Sequence, residues 1–229
     1  VGIYVTDREN LAPEIVAELG RSRRWSVDQR WVALGEGPAP TALGAVTITR
    51  VRTRVPKFAL LNRVLEECDL SRYEFVLVCD DDITLPESFV DRYLELVVRH
   101  DLALAQPART HGSYIDHYLV EQLDGLDARR TRFVEIGPLF SIRRDAFGAM
   151  LPFDEASPMG WGYDFVWPLV MERAGLRMGI VDATPVDHRI RKPGANYSGP
   201  ASNRDMKAYL ARRPHLAPAQ AFSILEAYA

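Results

Sequence analysis

Phe75-Val76-Leu77-Val78-Cys79-Asp80-Asp81-Asp82-Ile83-Thr84 is the stretch whose reading decides the fold. Five apolar residues in a row, rich in aromatic and β-branched types, read as a strand covered on both faces, as in the middle of a parallel sheet. Three carboxylates follow at its carboxyl end, the side of an open α/β sheet on which ligands bind. Along an extended chain Asp80 and Asp82 share a face, roughly 6–7 Å apart, and Asp81 turns away. Bare carboxylates this close repel, at about 4 kcal/mol for a pair ~4 Å apart in an effective dielectric of ~20. A divalent cation removes that cost. An all-oxygen donor set suits Mg2+ or Mn2+, whose shell water and phosphate oxygens then complete. The plain alternative is a solvated acidic turn that caps the next helix.

Upstream, Gly2 to Thr6 reads as a first strand, Leu11 to Leu19 as an amphipathic helix stopped by Gly20, and Trp25 or Trp31 to Leu34 as a second strand. Val46 to Val51 alternates as a third, and a helix starts near Pro56. This β-α alternation ahead of the acidic strand predicts an α/β sheet flanked by helices. Downstream, Thr84-Leu85-Pro86-Glu87 fits a capping box for a helix carrying Phe89, Val90, Tyr93, Leu94 and Val97. Leu102 to Gln106 and Thr131 to Ile136 read as strands, with Arg109 to Arg132 between them as a loop holding one helix. Leu139 to Ile142 is apolar again, Arg144 to Met150 reads as a short helix, and Asp164 to Ala174 as a helix ended by Gly175. Arg177 to Asp182 reads as a last strand. The polar, basic segment Arg189 to Ser202 is expected to be mobile. The tail after it carries two weak helical pieces parted by Pro214 and Pro218.

With 229 residues the chain is long enough for one large domain with a substantial core. Its 47% apolar and 26% charged residues are those of an ordinary globular protein, and a net charge of −3 argues against a general nucleic-acid binder. Two cysteines, Cys68 and Cys79, suggest reduced thiols and a cytoplasmic setting. No apolar run approaches the ~18–20 residues that span a bilayer, so no transmembrane segment is expected. The chain opens on a strand already under way, so native residues or a leader before Val1 are expected. Arginine outnumbers lysine and alanine is abundant, which hints at a GC-rich bacterial source.

Two further stretches carry chemistry. In Met159-Gly160-Trp161-Gly162-Tyr163-Asp164-Phe165, glycines on both sides of a tryptophan let a ligand approach closely. Trp161 offers a plate on which a sugar ring stacks. Asp164 opens a helix whose dipole favours the ionised carboxylate, and such a group can accept a proton from a hydroxyl. Against this stands a core tryptophan beside a capping aspartate. His188 follows a strand end on the edge where the acidic triplet also lies, with Asp187 either orienting it or solvated.

These residues resemble nucleotide-sugar glycosyltransferases of the GT-A fold, in the broad inverting, family-2-like class. The apolar strand ending in Asp80-Asp81-Asp82 is similar to the family's metal-binding DxD motif. Gly137-Pro138-Leu139-Phe140-Ser141-Ile142-Arg143-Arg144-Asp145-Ala146-Phe147, with Phe153-Asp154-Glu155, is similar to the segment beneath the acceptor site. Aligned on Ala174-Gly175, Asp164 falls on the catalytic base of the family's Glu-Asp pair, and His188 on the histidine that often completes the metal shell. Phe133-Val134-Glu135, the Gly-Trp-Gly-Tyr-Asp run and Ala105-Gln106-Pro107-Ala108 also resemble a little-characterised plant and bacterial family of predicted GT-A character. Lys57 to Asn62 is similar to the Lys…Asn stretch near the nucleotide, and Thr6-Asp7 takes the place of the loop that holds the base. One departure is Tyr163, which stands where the pair usually has glutamate.

The resemblance implies a catalytic domain over 1–203, with a nucleotide-binding half to 82 and an acceptor half from 83, and a C-terminal helical tail over 204–229. It implies Mn2+ or Mg2+ held by Asp80, Asp82 and His188, and a nucleoside-diphosphate sugar, most simply a UDP-sugar. That donor would be contacted by Thr6, Asp7, Lys57, Asn62, Asp81, Arg189 and Arg191. Asp164 would deprotonate an acceptor hydroxyl, Glu135, Trp161 and Tyr163 would contact the acceptor, and Arg189 to Ser202 would close over the donor.

Two rivals remain at this stage. Val76 to Thr84 matches the haloacid-dehalogenase phosphatase signature, with Asp80 as nucleophile, Asp82 as acid and Asp182 and Asp187 as later metal carboxylates. Against it, several elements precede the motif and no lysine lies from Ile83 to Val181, the lysines being Lys57, Lys192 and Lys207. The other rival is a non-catalytic sugar-binding domain, supported only by Tyr163.

Overall fold

The computed structural model describes residues 1–191 and 199–229, so part of the segment expected to close over the donor lies outside the described residues. The first half contains β1 (Gly2–Val5), α1 (Ala12–Leu19), β2 (Trp31–Leu34), β3 (Thr47–Val51), α2 (Lys57–Glu66) and β4 (Phe75–Cys79). The second contains α3 (Phe89–Arg99), β5 (Leu104–Arg109), β6 (Ala128–Thr131), β7 (Leu139–Arg143), α4 (Phe147–Met150), α5 (Tyr163–Ala174) and β8 (Met178–Val186). The chain then adds α6 (Gly199–Leu210), α7 (Pro218–Ala221) and β9 (Ile224–Tyr228).

Among the described residues the strands form one nine-stranded sheet in the order β3-β2-β1-β4-β7-β5-β8-β6-β9. β1 pairs parallel with β2 and β4, β2 with β3, and β5 with β8. β7 runs antiparallel between β4 and β5, and β6 antiparallel between β8 and β9. Following the pairings across the sheet, only β6 and β7 oppose the rest. The sheet is therefore mixed and mostly parallel in direction, and the carboxyl ends of β1, β4, β5 and β8 share one edge.

β4 lies inside the sheet, and its alternate side chains enter two cores. Val76 and Val78 pack with Phe58 and Leu61 of α2 and Tyr163, Trp167 and Met171 of α5. Cys79, with Phe75 and Leu77 packed against it, belongs to the opposite core beside Ile15 and Leu19 of α1 and Phe89, Tyr93 and Val97 of α3. Its neighbours differ from a purely parallel setting: β1 touches it in parallel and β7 lies antiparallel along its other side. Burying each such aliphatic or aromatic side chain contributes about 1.5–3 kcal/mol, which makes this strand a large share of the fold's stability.

Several local expectations change. The helix after the acidic triplet starts at Phe89 after Ser88, a left-handed residue with φ 56°, and no capping box forms. The buried Glu18 of α1 instead accepts the Phe89 N–H at 3.2 Å. Thr84, freed from capping, forms a two-way backbone bridge with Asp187. The strand expected over Thr131 to Ile136 lies earlier, as β6, and β8 runs on to Val186. The tail has its helical pieces but ends in β9, paired with β6 at the sheet's edge.

Candidate active site

The ladder of β4 ends at Cys79, so the acidic triplet leaves the strand's alternation. Asp80 anchors its N–H on the Pro138 carbonyl at 2.7 Å and turns its carboxylate to Lys57, whose Nζ lies 2.7 Å from Oδ1 and 2.8 Å from Oδ2. Asp81 is not turned away: it is 2% exposed and accepts the Val5 N–H at 2.6 Å. Arg191 bridges Asp81 and Asp82, with Nη2 on Asp81 and Nε 3.1 Å from Asp82. The convergent pair is therefore Asp81 and Asp82. Burial pushes the Asp81 carboxyl up to about 6, against the pull of Arg191. Burial also works against charge on Asp82, but His188 and Arg191 outweigh it and hold that carboxyl below the usual range.

The bridge between Thr84 and Asp187, with N–H···O distances of 2.9 and 3.1 Å, delivers His188 to the acid cluster. His188 Nε2 lies 3.4 Å from Asp82, and Nδ1 lies 2.9 Å from Nη1 of Arg109. A guanidinium only donates, so Nδ1 accepts and the ring proton sits on Nε2, facing Asp82. His188, expected beside a metal ion, thus faces Asp82 through Nε2.

Arg109, at the end of β5, continues the network. Its Nη2 donates to Glu135 at 2.5 Å and to the Gly137 carbonyl at 2.7 Å. The other oxygen of Glu135 lies 2.7 Å from His117 Nδ1. Burial works against protonated His117, but Glu135 and then Asp164 outweigh it and raise its pKa. Asp164, at the start of α5, is 7% exposed, and its buried Oδ1 has no hydrogen-bond partner among the described residues. Burial pushes its carboxyl up to about 7, with His117 opposing and Glu135 adding to the rise. A carboxylate of that basicity is suited to take a proton near neutral pH. Arg109 and His117 were not singled out from the sequence. They lie in the aperiodic stretch 109–132, whose only signal was its basic residues.

Other expected site residues have structural partners. Asn62 is buried and exchanges hydrogen bonds with the backbone of Phe153 at 2.8 and 2.9 Å, so it ties α2 to the 153–155 loop and does not face a nucleotide. Tyr163 is 1% exposed, donates its hydroxyl to the Asp154 carbonyl and packs edge-on against Phe58, so it belongs to the core and does not line an open surface. Glu135 is buried between Arg109 and His117 and likewise supports the site from behind. Thr6 and Asp7 hold the loop after β2: Asp7 accepts from the N–H groups of Glu36 and Gly37, and Thr6 donates to Leu34. Arg189 is exposed and paired with Asp187 at 2.8 Å. Trp161 is half-buried, and its carbonyl accepts from Ser157 at 2.8 Å. Gly160 has φ 83°, and a Cβ there would lie 2.1 Å from the Phe58 ring, so this turn requires glycine.

For a divalent cation, the donor set is two converging carboxylates. Among the described residues no group of three His, Cys, Asp or Glu is arranged to hold a metal ion. Mg2+ and Mn2+ nonetheless bind commonly through one or two carboxylates plus phosphate oxygens, and the Arg191 guanidinium already stands in as a cation between Asp81 and Asp82. Asp81 and Asp82, already drawn together on one cation, would hold such an ion, while Asp80 is paired with Lys57 and His188 faces Asp82. Asp182, a carboxylate the phosphatase reading needs, is buried in a two-pronged pair with Arg129 at 2.9 Å and is unavailable. No helix among the described residues is long and apolar enough to cross a membrane.

No family model and no curated protein matches the sequence. Solved structures do match it. One is GalNAc-T7 crystallised with UDP, GalNAc and Mn2+, at TM-score 0.57 and 12% identity over 86% of this chain and 44% of that one. Another is Staphylococcus aureus TarS residues 1–349 with UDP-GlcNAc, at TM-score 0.60 and 12% identity over 95% of this chain and 68% of that one. TarS 1–349 with UDP matches at TM-score 0.52 and 12% identity, over 92% of this chain and 70% of that one. The chain thus spans under half of the GalNAc-T7 chain and about two thirds of the TarS fragment. At this identity the likeness establishes the fold: a mixed α/β sheet of the GT-A glycosyltransferase type.

Proposed function

We propose that this chain transfers a sugar from a nucleoside-diphosphate sugar, most simply a UDP-sugar, to an acceptor hydroxyl with inversion at the anomeric carbon. The observation that carries the reading is one run of contacts. Asp82 meets His188, His188 meets Arg109, Arg109 meets Glu135, and Glu135 meets His117, whose charge acts on Asp164. We read the acid cluster and the candidate base as two ends of one site, and support comes from a fold whose solved examples include complexes with UDP and UDP-GlcNAc.

In this reading Lys57 and Arg191 bind the diphosphate, and Arg109 orients both His188 and Glu135. A bound Mn2+ or Mg2+ on the acid cluster would supply neutralising charge for the leaving diphosphate. The acceptor oxygen bonds to the anomeric carbon, the carbon–oxygen bond to the diphosphate breaks on the opposite face, and the acceptor's proton passes to Asp164. Trp161 presents its plate to a sugar, and Tyr163 props the turn from beneath. The family-2-like assignment belongs with this proposal.

The test is binding and turnover in two variants. Asp82→Ala is expected to abolish stabilisation by UDP with Mn2+, whereas Asp164→Asn keeps it and loses turnover. The reading fails if no nucleoside diphosphate raises the melting temperature while p-nitrophenyl phosphate is hydrolysed.

A further inference from the structure

Arg191 occupies the two carboxylates that a cation would need. Its side chain is 10% exposed, against 3% for Asp81 and 13% for Asp82, so this ion-pair cluster is largely shielded from water. Nη1 also reaches the Glu9 carbonyl at 3.3 Å, which clamps the guanidinium between the acid cluster and the loop after β1. Asp81 Oδ2 also holds the Val5 N–H, Asp82 Oδ2 is shared between Arg191 and His188, and Asp80 holds Lys57. A bare divalent cation would have to displace a buried guanidinium and leave it unpaired, which is costly. A diphosphate changes that balance. It offers Arg191 a new partner matched to its planar fork, and it brings the oxygens that complete a cation's shell.

We infer that Arg191 is an exchangeable internal counter-ion: it neutralises Asp81 and Asp82 before the donor binds and passes to the diphosphate when the donor enters, so cation and nucleotide load together. The inference rests on the nucleotide-sugar reading above. Coupling of this kind is reciprocal, each ligand raising the other's affinity by one factor. It also gives Arg191 two opposed effects, since it holds the cation out and draws the nucleotide in.

Mn2+ binding, followed by electron paramagnetic resonance with and without UDP, and UDP binding by calorimetry in Mn2+ or in EDTA, read both effects. In the wild-type chain UDP is expected to tighten Mn2+ about tenfold or more. In Arg191→Ala, Mn2+ without nucleotide is expected to bind about tenfold tighter, while UDP in Mn2+ binds about tenfold weaker and the coupling shrinks. Arg191→Gln is read the same way should the alanine variant not fold, and Arg191→Lys keeps Mn2+ affinity near wild type. Unchanged or weaker Mn2+ binding in Arg191→Ala overturns the exchange. So does equal wild-type affinity for UDP in EDTA and in Mn2+, because Arg191 is then the resident cation. Failure of the transferase reading looks different: no nucleoside diphosphate binds in any condition, and the exchange falls with it.

Discussion

Arg109 donates from Nη1 to His188 at 2.9 Å and from Nη2 to Glu135 at 2.5 Å, so one guanidinium sets the histidine beside the acid cluster and the carboxylate beside His117. Both partners are nearly buried, and the second partner of Glu135 is His117. Arg109→Met would leave Glu135 charged and buried beside His117 alone, a type of loss that costs about 3–5 kcal/mol. A large fall in melting temperature is expected. Arg109→Lys keeps the charge but not the fork; it should fold, and its UDP affinity in Mn2+ should drop about tenfold. Wild-type stability in Arg109→Met would show that the network is not what holds the site.

Asp164 has its carboxyl raised to about 7 by burial, with His117 opposing. A protonated carboxyl cannot accept the acceptor's proton, so transfer should climb with pH through about 7 and level off above it. Stability moves the other way. The fold binds this proton more tightly than the unfolded chain, so the contribution is complete below 3.8 and is lost as pH rises through about 7. Asp164→Asn should remove the rising limb, lower turnover about 10²–10⁴-fold and flatten the pH dependence of melting in that window. A pH–rate profile and a melting series check both signs.

Lys57 places one ammonium on both oxygens of Asp80 and donates to the Ile136 carbonyl at 3.1 Å. Among the described residues Lys57 is the cation paired with Asp80, and Lys57→Met removes it. UDP affinity should weaken about tenfold, and more at low salt than at high salt because screening already weakens the site in salt. Calorimetry at two ionic strengths measures this.

Gly160→Ala tests the tryptophan turn. Its φ of 83° strains any side chain, and the added Cβ would meet the Phe58 ring at 2.1 Å. A loss of about 1–3 kcal/mol is expected. Gly148→Ala, where a Cβ meets nothing within 4 Å, should be near neutral. Equal melting temperatures would show that the turn relaxes freely.

Much of the framework could be read in the chain because it is written in short-range signals. An apolar run followed by carboxylates, a helix closed by Gly175 and a histidine just past a strand end each need only neighbouring residues. What could not be read depends on partners far away in sequence. Asp81 turns inward because the ladder stops at Cys79, a limit set by β7 and β1. Arg109 finds His188 only because β5 and β8 pair in parallel. Asn62 and Tyr163 carry polar atoms that suggested ligands, yet each is satisfied by backbone on the 153–155 loop. Ile224 to Tyr228 includes leucine, glutamate and alanine, all good helix formers, and pairing with β6 overrides that preference.

β9 has one more consequence. It covers β6 through Ala128↔Tyr228 and the Arg130–Glu226 pair at 2.5 Å, while Leu216 N–H ties the intervening chain to the Phe165 carbonyl at 2.9 Å. A nick by protease between Leu210 and Leu216 would free that cover and bare a row of unsatisfied amides along β6. Such a row is a template for another chain. Clipped protein should therefore drift into self-associated species on standing, and light scattering after limited digestion would register it.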